Sequence, residues 1–347
     1  MAMAEELLPP GEAVHGNDRW YELRRQGITA SEIAVVLGIS PYDSPFSLYW
    51  SKVNGWRWDG NVYADTGRYL EDAIADWWTG EHGEALNLTD GLAGLYANSE
   101  RPFQLATPDR LLYLPCDACG GRGGFGLDPC SDCMTVGYKP DDLAALLECK
   151  WLAYSWDGWG EPGTDDIPTH YRAQCLWQLD VLGVDEVHIA ALGPGGFRAY
   201  GPIVRDEDDL AVMRKAGEEF ARRLAEQDPP PLDGHSGTLA ALKRLHPSVG
   251  EGAVEVPGDL SIRYREARHA RQFAEACIAK AEAEIRAALG STYARATYAG
   301  HLVASRSVFE QERIDVARLR AEQPDIAAAY TTKTTVDRLN PGRVSHD

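Results

Sequence analysis

Two groups of residues in this chain have types and spacings that could do chemistry. The first is T-P-D-R at 107–110 together with L-L-E-C-K at 146–150. Side chains alternate across a strand, so Glu148 and Lys150 would share one face, and Leu147, Cys149 and Trp151 the other. A charge is costly to bury unless it is paired or bound to a metal. If the two stretches pair as a hairpin, Asp109 and Glu148 converge with Lys150 beside them. Carboxylates and a backbone carbonyl form a hard oxygen site suited to Mg²⁺. A cation there lowers the pKa of a bound water, and the ammonium helps to orient that water as a nucleophile. Glu-x-Lys is also an ordinary charge pair on exposed strands, so this spacing by itself leaves both readings open. The second group is C-D-A-C-G-G-R-G followed by C-S-D-C. Cys116 and Cys119 form one C-x2-C knuckle, and Cys130 and Cys133 form another. Four thiolates in two knuckles match a tetrahedral all-cysteine Zn²⁺ site, which is closed and therefore structural. Two disulfides or a redox pair are the alternatives.

The remaining pattern supplies elements to hold these groups. T-A-S-E-I-A-V-V-L-G (29–38) and S-P-F-S-L-Y-W-S-K-V-N-G (44–55) read as capped helices stopped by glycine. D-T-G-R-Y-L-E-D-A-I-A-D-W-W-T-G (65–80) and P-T-H-Y-R-A-Q-C-L-W-Q-L-D-V-L-G (168–183) are further helices. Strand-like segments lie at 101–107, 111–114, 144–151, 185–193 and 197–204, and a long helix spans 207–227. Trp77, Trp78 and Trp177 fall at helical spacings and are expected in the core; Cys175 and Cys277 lack partners and are expected as buried thiols. The Pro/Gly-rich run 228–237 reads as a boundary, followed by a charged helix over about 258–289, a hairpin and short helices. The expected division is a disordered leader over 1–17, a core over 18–228 with a zinc-binding insertion at 114–140, and an extension over 239–347. The chain has 347 residues and a net charge of −19, which argues against a general nucleic-acid binder and requires any such site to be a local basic groove. With no apolar run long enough for a membrane span and no signal-peptide pattern at its start, the chain is expected to be cytoplasmic, with no membrane partner.

The stretch W-Y-E-L-R-R-Q-G-I-T-A-S-E-I-A-V-V-L-G-I-S-P-Y-D-S-P-F-S-L-Y-W-S-K-V-N-G (20–55) resembles the start of the YqaJ-type viral recombinase family, a lambda-exonuclease-like branch of the PD-(D/E)xK nucleases. G-R-Y-L-E (67–71), A-T-P-D-R-L-L (106–112), L-L-E-C-K-W and Y-R-A-Q-C-L-W-Q-L-D-V-L-G (171–183) follow in the family's order, and the likeness covers about residues 18–228. It implies an α/β, restriction-endonuclease-like fold: a mixed central sheet flanked by helices, here with a zinc-knuckle insertion and an α+β C-terminal extension. It also implies Mg²⁺- or Mn²⁺-dependent 5′→3′ digestion of one strand at double-stranded DNA ends, in recombination. A single-strand annealing protein would be the partner, and the nuclease would be a ring-shaped homo-oligomer in the phage host's cytoplasm. Carried over residue by residue, Asp109 and Glu148 match the metal carboxylates, the Cys149 carbonyl a backbone ligand and Lys150 the catalytic lysine. Glu71 matches the helix-borne acid, and Gln174 the motif glutamine, with Tyr171 and Gln178 on the same helical face. Arg24 and Ser31 match groups that hold a terminal 5′-phosphate, with Thr107 assisting.

Three features depart from the family pattern. Arg110 stands where the family has Gly after the Asp, either as a phosphate contact or as a means of tightening the turn. Cys149 replaces the usual aliphatic residue between Glu148 and Lys150. The cysteine insertion is extra; its first knuckle also resembles the C-x-x-C-x-G-x-G repeat of DnaJ-type chaperones. Alternative readings are a PD-(D/E)xK endonuclease, a CRISPR-associated iron–sulfur-type nuclease, and a non-catalytic zinc-containing DNA-binding or interaction protein.

Overall fold

The structure is a computed structural model that describes residues 4–57, 60–125, 128–334 and 336–341. Two compact units divide at Pro247/Ser248. In chain order the first unit contains β1 (Glu5–Leu8), α1 (Asp18–Gln26), β2 (Ile28–Thr29), α2 (Ala30–Val36), α3 (Pro45–Asn54), α4 (Val62–Trp78), β3 (Thr89–Leu92), β4 (Leu95–Ala97) and β5 (Gln104–Ala106). It continues with β6 (Arg110–Pro115), β7 (Gly124–Phe125), β8 (Asp128–Pro129), β9 (Tyr138–Trp151), α5 (Thr169–Leu182), β10 (Glu186–Gly193), β11 (Gly196–Val204), α6 (Glu207–Glu226) and α7 (Ser236–Leu245).

The cap residues read from the sequence act as caps. Ser44 Oγ accepts from the Ser47 amide, Pro45 sits in the first turn of α3, and Gly55 ends it in the left-handed region. Thr29 and Glu32 close a capping box at the start of α2.

The main sheet has the order β11-β10-β9-β6-β3 and is mixed: β9 runs parallel to β10 and antiparallel to β6. The core strand β9 is covered on both faces, so neighbours Leu146 and Leu147 are both fully buried. Leu146 packs in the cluster that includes Leu176 and Trp177 of α5. Leu147 packs with Ile74, Ala75 and Trp78 of α4, and Cys149 and Trp151 border that second cluster. Glu148 and Lys150 therefore face α5 while the odd-numbered positions face α4. This is the mixed sheet flanked by helices that the sequence led us to expect. A smaller sheet of order β1-β4-β5-β2 adjoins it in the chain.

Three expectations change. Residues 5–8, read as part of a disordered leader, form β1, paired with β4, and bury Leu8. The Pro/Gly run at 228–237 does not end the first unit, because α7 follows it and packs on α3, with the buried Thr238 hydroxyl donating to Ser44 Oγ at 2.7 Å. Cys175 is buried as expected, whereas Cys277 is exposed.

The second unit holds α8 (Gly258–Leu289), the hairpin β12 (Arg295–Tyr298) and β13 (His301–Ser305), α9 (Val316–Glu322) and α10 (Pro324–Ala329). Ala299 and Gly300 both take positive φ, as a two-residue hairpin turn requires. Among the described residues no helix is long and apolar enough to cross a membrane.

Candidate active site

Antiparallel pairing of Arg110 with Leu147 brings Asp109, one step before β6, level with Glu148. The Cys149 amide donates to Asp109 Oδ2 at 2.6 Å, which locks the carboxylate at the end of β9. Lys150 Nζ donates to Glu148 Oε1, and also to Gln174 Oε1 at 3.3 Å. Gln174 Nε2 and Gln178 Nε2 donate to the two oxygens of Glu148 at 2.5 and 2.6 Å. One turn of α5 thus clamps a carboxylate that is only 2 % exposed. Tyr171, a turn before Gln174, lies under the Lys150 ammonium at 5.0 Å from its ring centre.

Helix α4 supplies the other wall. Ala64, Gly67, Arg68 and Glu71 fall at helical spacing on one side of it and, with Asp109, Glu148, Cys149, Lys150 and Trp151, line a cleft of about 220 Å³. Glu71 therefore meets the same space as the two strand carboxylates. The crowding is visible in the electrostatics. Burial first, then the Glu148 and Glu71 charges, hold the Asp109 carboxyl well above its ordinary range. Burial and Glu148 likewise raise Glu71. Burial alone would lower the Lys150 ammonium, but Glu148 and Asp109 outweigh it and keep it above its usual value. Glu71, Asp109 and Glu148 all line this cleft, and a cation there would offset their mutual repulsion. The chemistry of these oxygen groups fits a hard divalent cation, which Asp109, Glu148 and the Cys149 carbonyl would hold.

Arg110 answers a question that the sequence left open. Its side chain is only 8 % exposed and turns inward. It donates to Asp72 Oδ1 at 2.5 Å and to the Asp109 carbonyl at 2.7 Å, and lies 3.6 Å from Glu71 and 3.9 Å from Asp90. It ties α4 to the start of β6 and is not presented to a substrate phosphate. Asp72 and Asp90 were not singled out from the sequence: acids on a helix face and a short edge strand carry no local signal of a shared arginine.

A second polar group forms around α1 and α2. Arg24 Nη2 donates to Ser31 Oγ at 3.3 Å, and its guanidinium stacks on Trp20 at 4.3 Å. Lys52 is buried and bonds Glu32 at 2.8 Å and the Arg24 carbonyl at 2.9 Å. Burial lowers the Arg24 pKa, and the nearby Glu32 charge partly offsets the shift. Arg24 and Ser31 are thus brought together, but neither lines the cleft between α4 and β9. Thr107 bonds neither of them, and its buried hydroxyl has no partner among the described residues.

The cysteine insertion lies between β6 and β9. All four sulfurs are buried and lie within 4.8 Å of one another, with Cys116–Cys130 at 4.0 Å and Cys119–Cys133 at 3.7 Å. A tetrahedral ion with Zn–S bonds of about 2.3 Å has sulfur–sulfur edges of about 3.8 Å. The thiols are free, not bridged. Gly123 and Gly137 have positive φ, and a Cβ at either would strike the carbonyl of Thr135 or Gly121, so the two knuckles close only with glycine there. Tyr113 stacks on Tyr138 at 4.1 Å across the base of the insertion and ties it to the strands bearing Asp109 and Glu148.

Solved structures to which this chain is similar include an alkaline exonuclease, LHK-Exo, from Laribacter hongkongensis. In its complex with dAMP it is 17% identical, with 66% of this chain and 97% of that one covered and a TM-score of 0.43. A phage-related exonuclease from Haemophilus somnus is 13% identical, with 58% and 96% covered and a TM-score of 0.37. The uncharacterized protein YqaJ of Bacillus subtilis is 27% identical over 241 residues, covering 66% of this chain. The match spans 63% of that relative's length. Residues 19–185, which include Glu71, Asp109, Glu148, Lys150 and Gln174, match the sequence model of the YqaJ-like viral recombinase domain. Over those residues this chain is similar to the YqaJ-like viral recombinase domain family.

Proposed function

We propose that the protein is a metal-dependent deoxyribonuclease that degrades double-stranded DNA ends 5′→3′ and acts in recombination with a single-strand annealing partner, as a homo-oligomer. The observation that carries the reading is the convergence of Asp109, Glu148, Lys150 and Glu71 on one cleft. A bound Mg²⁺ or Mn²⁺ supplies Lewis acidity and lowers the pKa of water. The chain's own residues do the rest. Gln174 and Gln178 fix both oxygens of Glu148, so the carboxylate presents a constant geometry toward the cleft. Lys150, charged and held by Glu148, Gln174 and Tyr171, orients the attacking water and stabilises the phosphorane charge. Glu71 approaches from α4 and completes the acidic wall.

Arg24 and Ser31 are assigned to the terminal 5′-phosphate. An arginine fork matches phosphate oxygens, and the stacking on Trp20 already fixes its plane. Thr107, which bonds neither of them and whose hydroxyl is buried, is assigned only an assisting role. The four cysteines are assigned a structural Zn²⁺, because the sulfur spacing matches one tetrahedral ion; a polynuclear iron–sulfur cluster would spread the sulfurs further. Purified protein should therefore be colourless.

The test is hydrolysis of linear duplex bearing a 5′-phosphate or a 5′-hydroxyl, with and without Mg²⁺. The expected result is Mg²⁺-dependent release of mononucleotides, strongly favoured by 5′-phosphate, lost in Lys150→Ala, with the end preference lost in Arg24→Ala. Equal rates on both ends, or cleavage of closed circles, would replace the exonuclease by an endonuclease. No cleavage under any divalent ion would leave a DNA-binding protein.

A further inference from the structure

The mouth of the cleft carries exposed aromatic surface that the hydrolytic machinery does not use. Trp151 follows Lys150 directly on β9 and lines the cleft. Tyr63, in the first turn of α4 and next to the cleft-lining Ala64, stacks on Trp151 with ring centres 6.3 Å apart and planes 26° off parallel. Tyr154, three residues beyond Trp151, meets Tyr63 at 5.7 Å, and the two hydroxyls bond each other. Tyr63 is 46% exposed and Tyr154 75%. Large aromatic rings normally bury their surface. Here Tyr63 joins Trp151 and Tyr154 at the end of the strand that bears Glu148 and Lys150.

We infer that Tyr63 and Tyr154, backed by Trp151, form a ledge on which the nucleobase adjoining the scissile phosphate stacks. The inference rests on the nuclease reading of the cleft. A phosphodiester seated between Lys150 and Glu71 would lie beside Trp151, which follows Lys150 on β9 and lines the same cleft. Recognition by a π-face suits an enzyme that must accept every base, because all four bases have one. The alternative for positioning a base, hydrogen bonds to its edge, would make the rate depend on sequence. Among the described residues that line that wall of the cleft, the one basic side chain, Arg68, is paired with Asp65, so stacking is the main grip there.

The experiment combines protein and substrate changes. Wild type, Tyr63→Ala/Tyr154→Ala and Tyr63→Phe/Tyr154→Phe digest 5′-phosphorylated duplex with either normal or abasic nucleotides at the two 5′-terminal positions. Wild type should lose roughly tenfold in kcat/KM on abasic ends, the usual scale of one stacked base. The alanine pair should lose about as much on normal ends and little more on abasic ones, whereas the phenylalanine pair should stay near wild type. Thermal melting checks that each variant is folded. A full abasic penalty in the alanine pair, or a phenylalanine pair as slow as the alanine pair, overturns the ledge. Fluorescence of 2-aminopurine at the same positions, quenched on stacking, reads the ledge without turnover. Tyrosine-dependent quenching in a wild type that never cleaves would break the nuclease reading alone. Cleavage without such quenching would break the ledge alone.

Discussion

Arg110→Met removes the guanidinium that joins α4 to the start of β6 while keeping an unbranched apolar stem. Stripping one member from a fully buried ion pair costs about 3–5 kcal/mol. That figure is too large here, because Asp72 is 84% exposed and Glu71 37%, so both acids regain water when the arginine is gone. The charged hydrogen bond to the Asp109 carbonyl contributes about 1.5 kcal/mol. The pair with Asp72 adds at most about 1 kcal/mol, and Glu71 and Asp90, at 3.6 and 3.9 Å, a few tenths each. The expected loss is about 2–3 kcal/mol, or a Tm lower by about 5–10 °C for a unit of this size. Arg110→Lys keeps the charge but not the fork and should recover about half. Because Glu71 loses its anchor, the Mg²⁺ concentration for half-maximal activity should rise in the Met variant while the KM for DNA changes little. Urea unfolding of the apo protein and a Mg²⁺ titration of the nuclease rate measure both effects. A Met variant within about 0.5 kcal/mol of wild type, the range of a neutral surface change, refutes the tether. So does an unchanged Mg²⁺ requirement.

The crowded carboxylates predict a pH effect in the metal-free protein. The folded-state pKa of Asp109 lies above its unfolded value, so the folded state binds the extra proton, and stability falls as pH rises from the unfolded pKa toward the folded one. Asp109→Asn keeps an acceptor for the Cys149 amide and removes the charge; it should raise the apo Tm at neutral pH while abolishing hydrolysis, with the gain shrinking toward pH 4. A variant no more stable than wild type at pH 7 in chelator would contradict the burial of that charge. For the insertion, metal analysis should find one zinc per chain, and Cys116→Ser/Cys119→Ser should lose it. Binding supplies folding free energy to this glycine-rich segment, so protease should then cut between β6 and β9, and activity should fall less than in Lys150→Ala. Native protein without zinc, or unchanged protease resistance, would refute the assignment.

Local spacing alone determined a good part of this protein. Period-two alternation placed Glu148 and Lys150 on one face of β9, C-x2-C knuckles announced the sulfur cluster, and Ser44, Pro45, Gly55 and Gly183 marked helix ends, because these features depend on neighbours within a few residues. The order of the motifs was enough to point to the family whose sequence model matches residues 19–185. The tertiary structure decided what depends on distant partners. Which helix covers which face of β9 made Gln174 and Gln178 the clamp on Glu148. Packing of α4 against the sheet gave Arg110 its acids and joined Tyr63 to Trp151 and Tyr154. The Pro/Gly run at 228–237 misled because turn chemistry tells where a helix stops, not whether the next helix packs back; α7 returns to α3 through Thr238 and Ser44, 194 residues apart in the chain. Such contacts are set by long-range complementarity of buried surface, which leaves no period in the sequence to read.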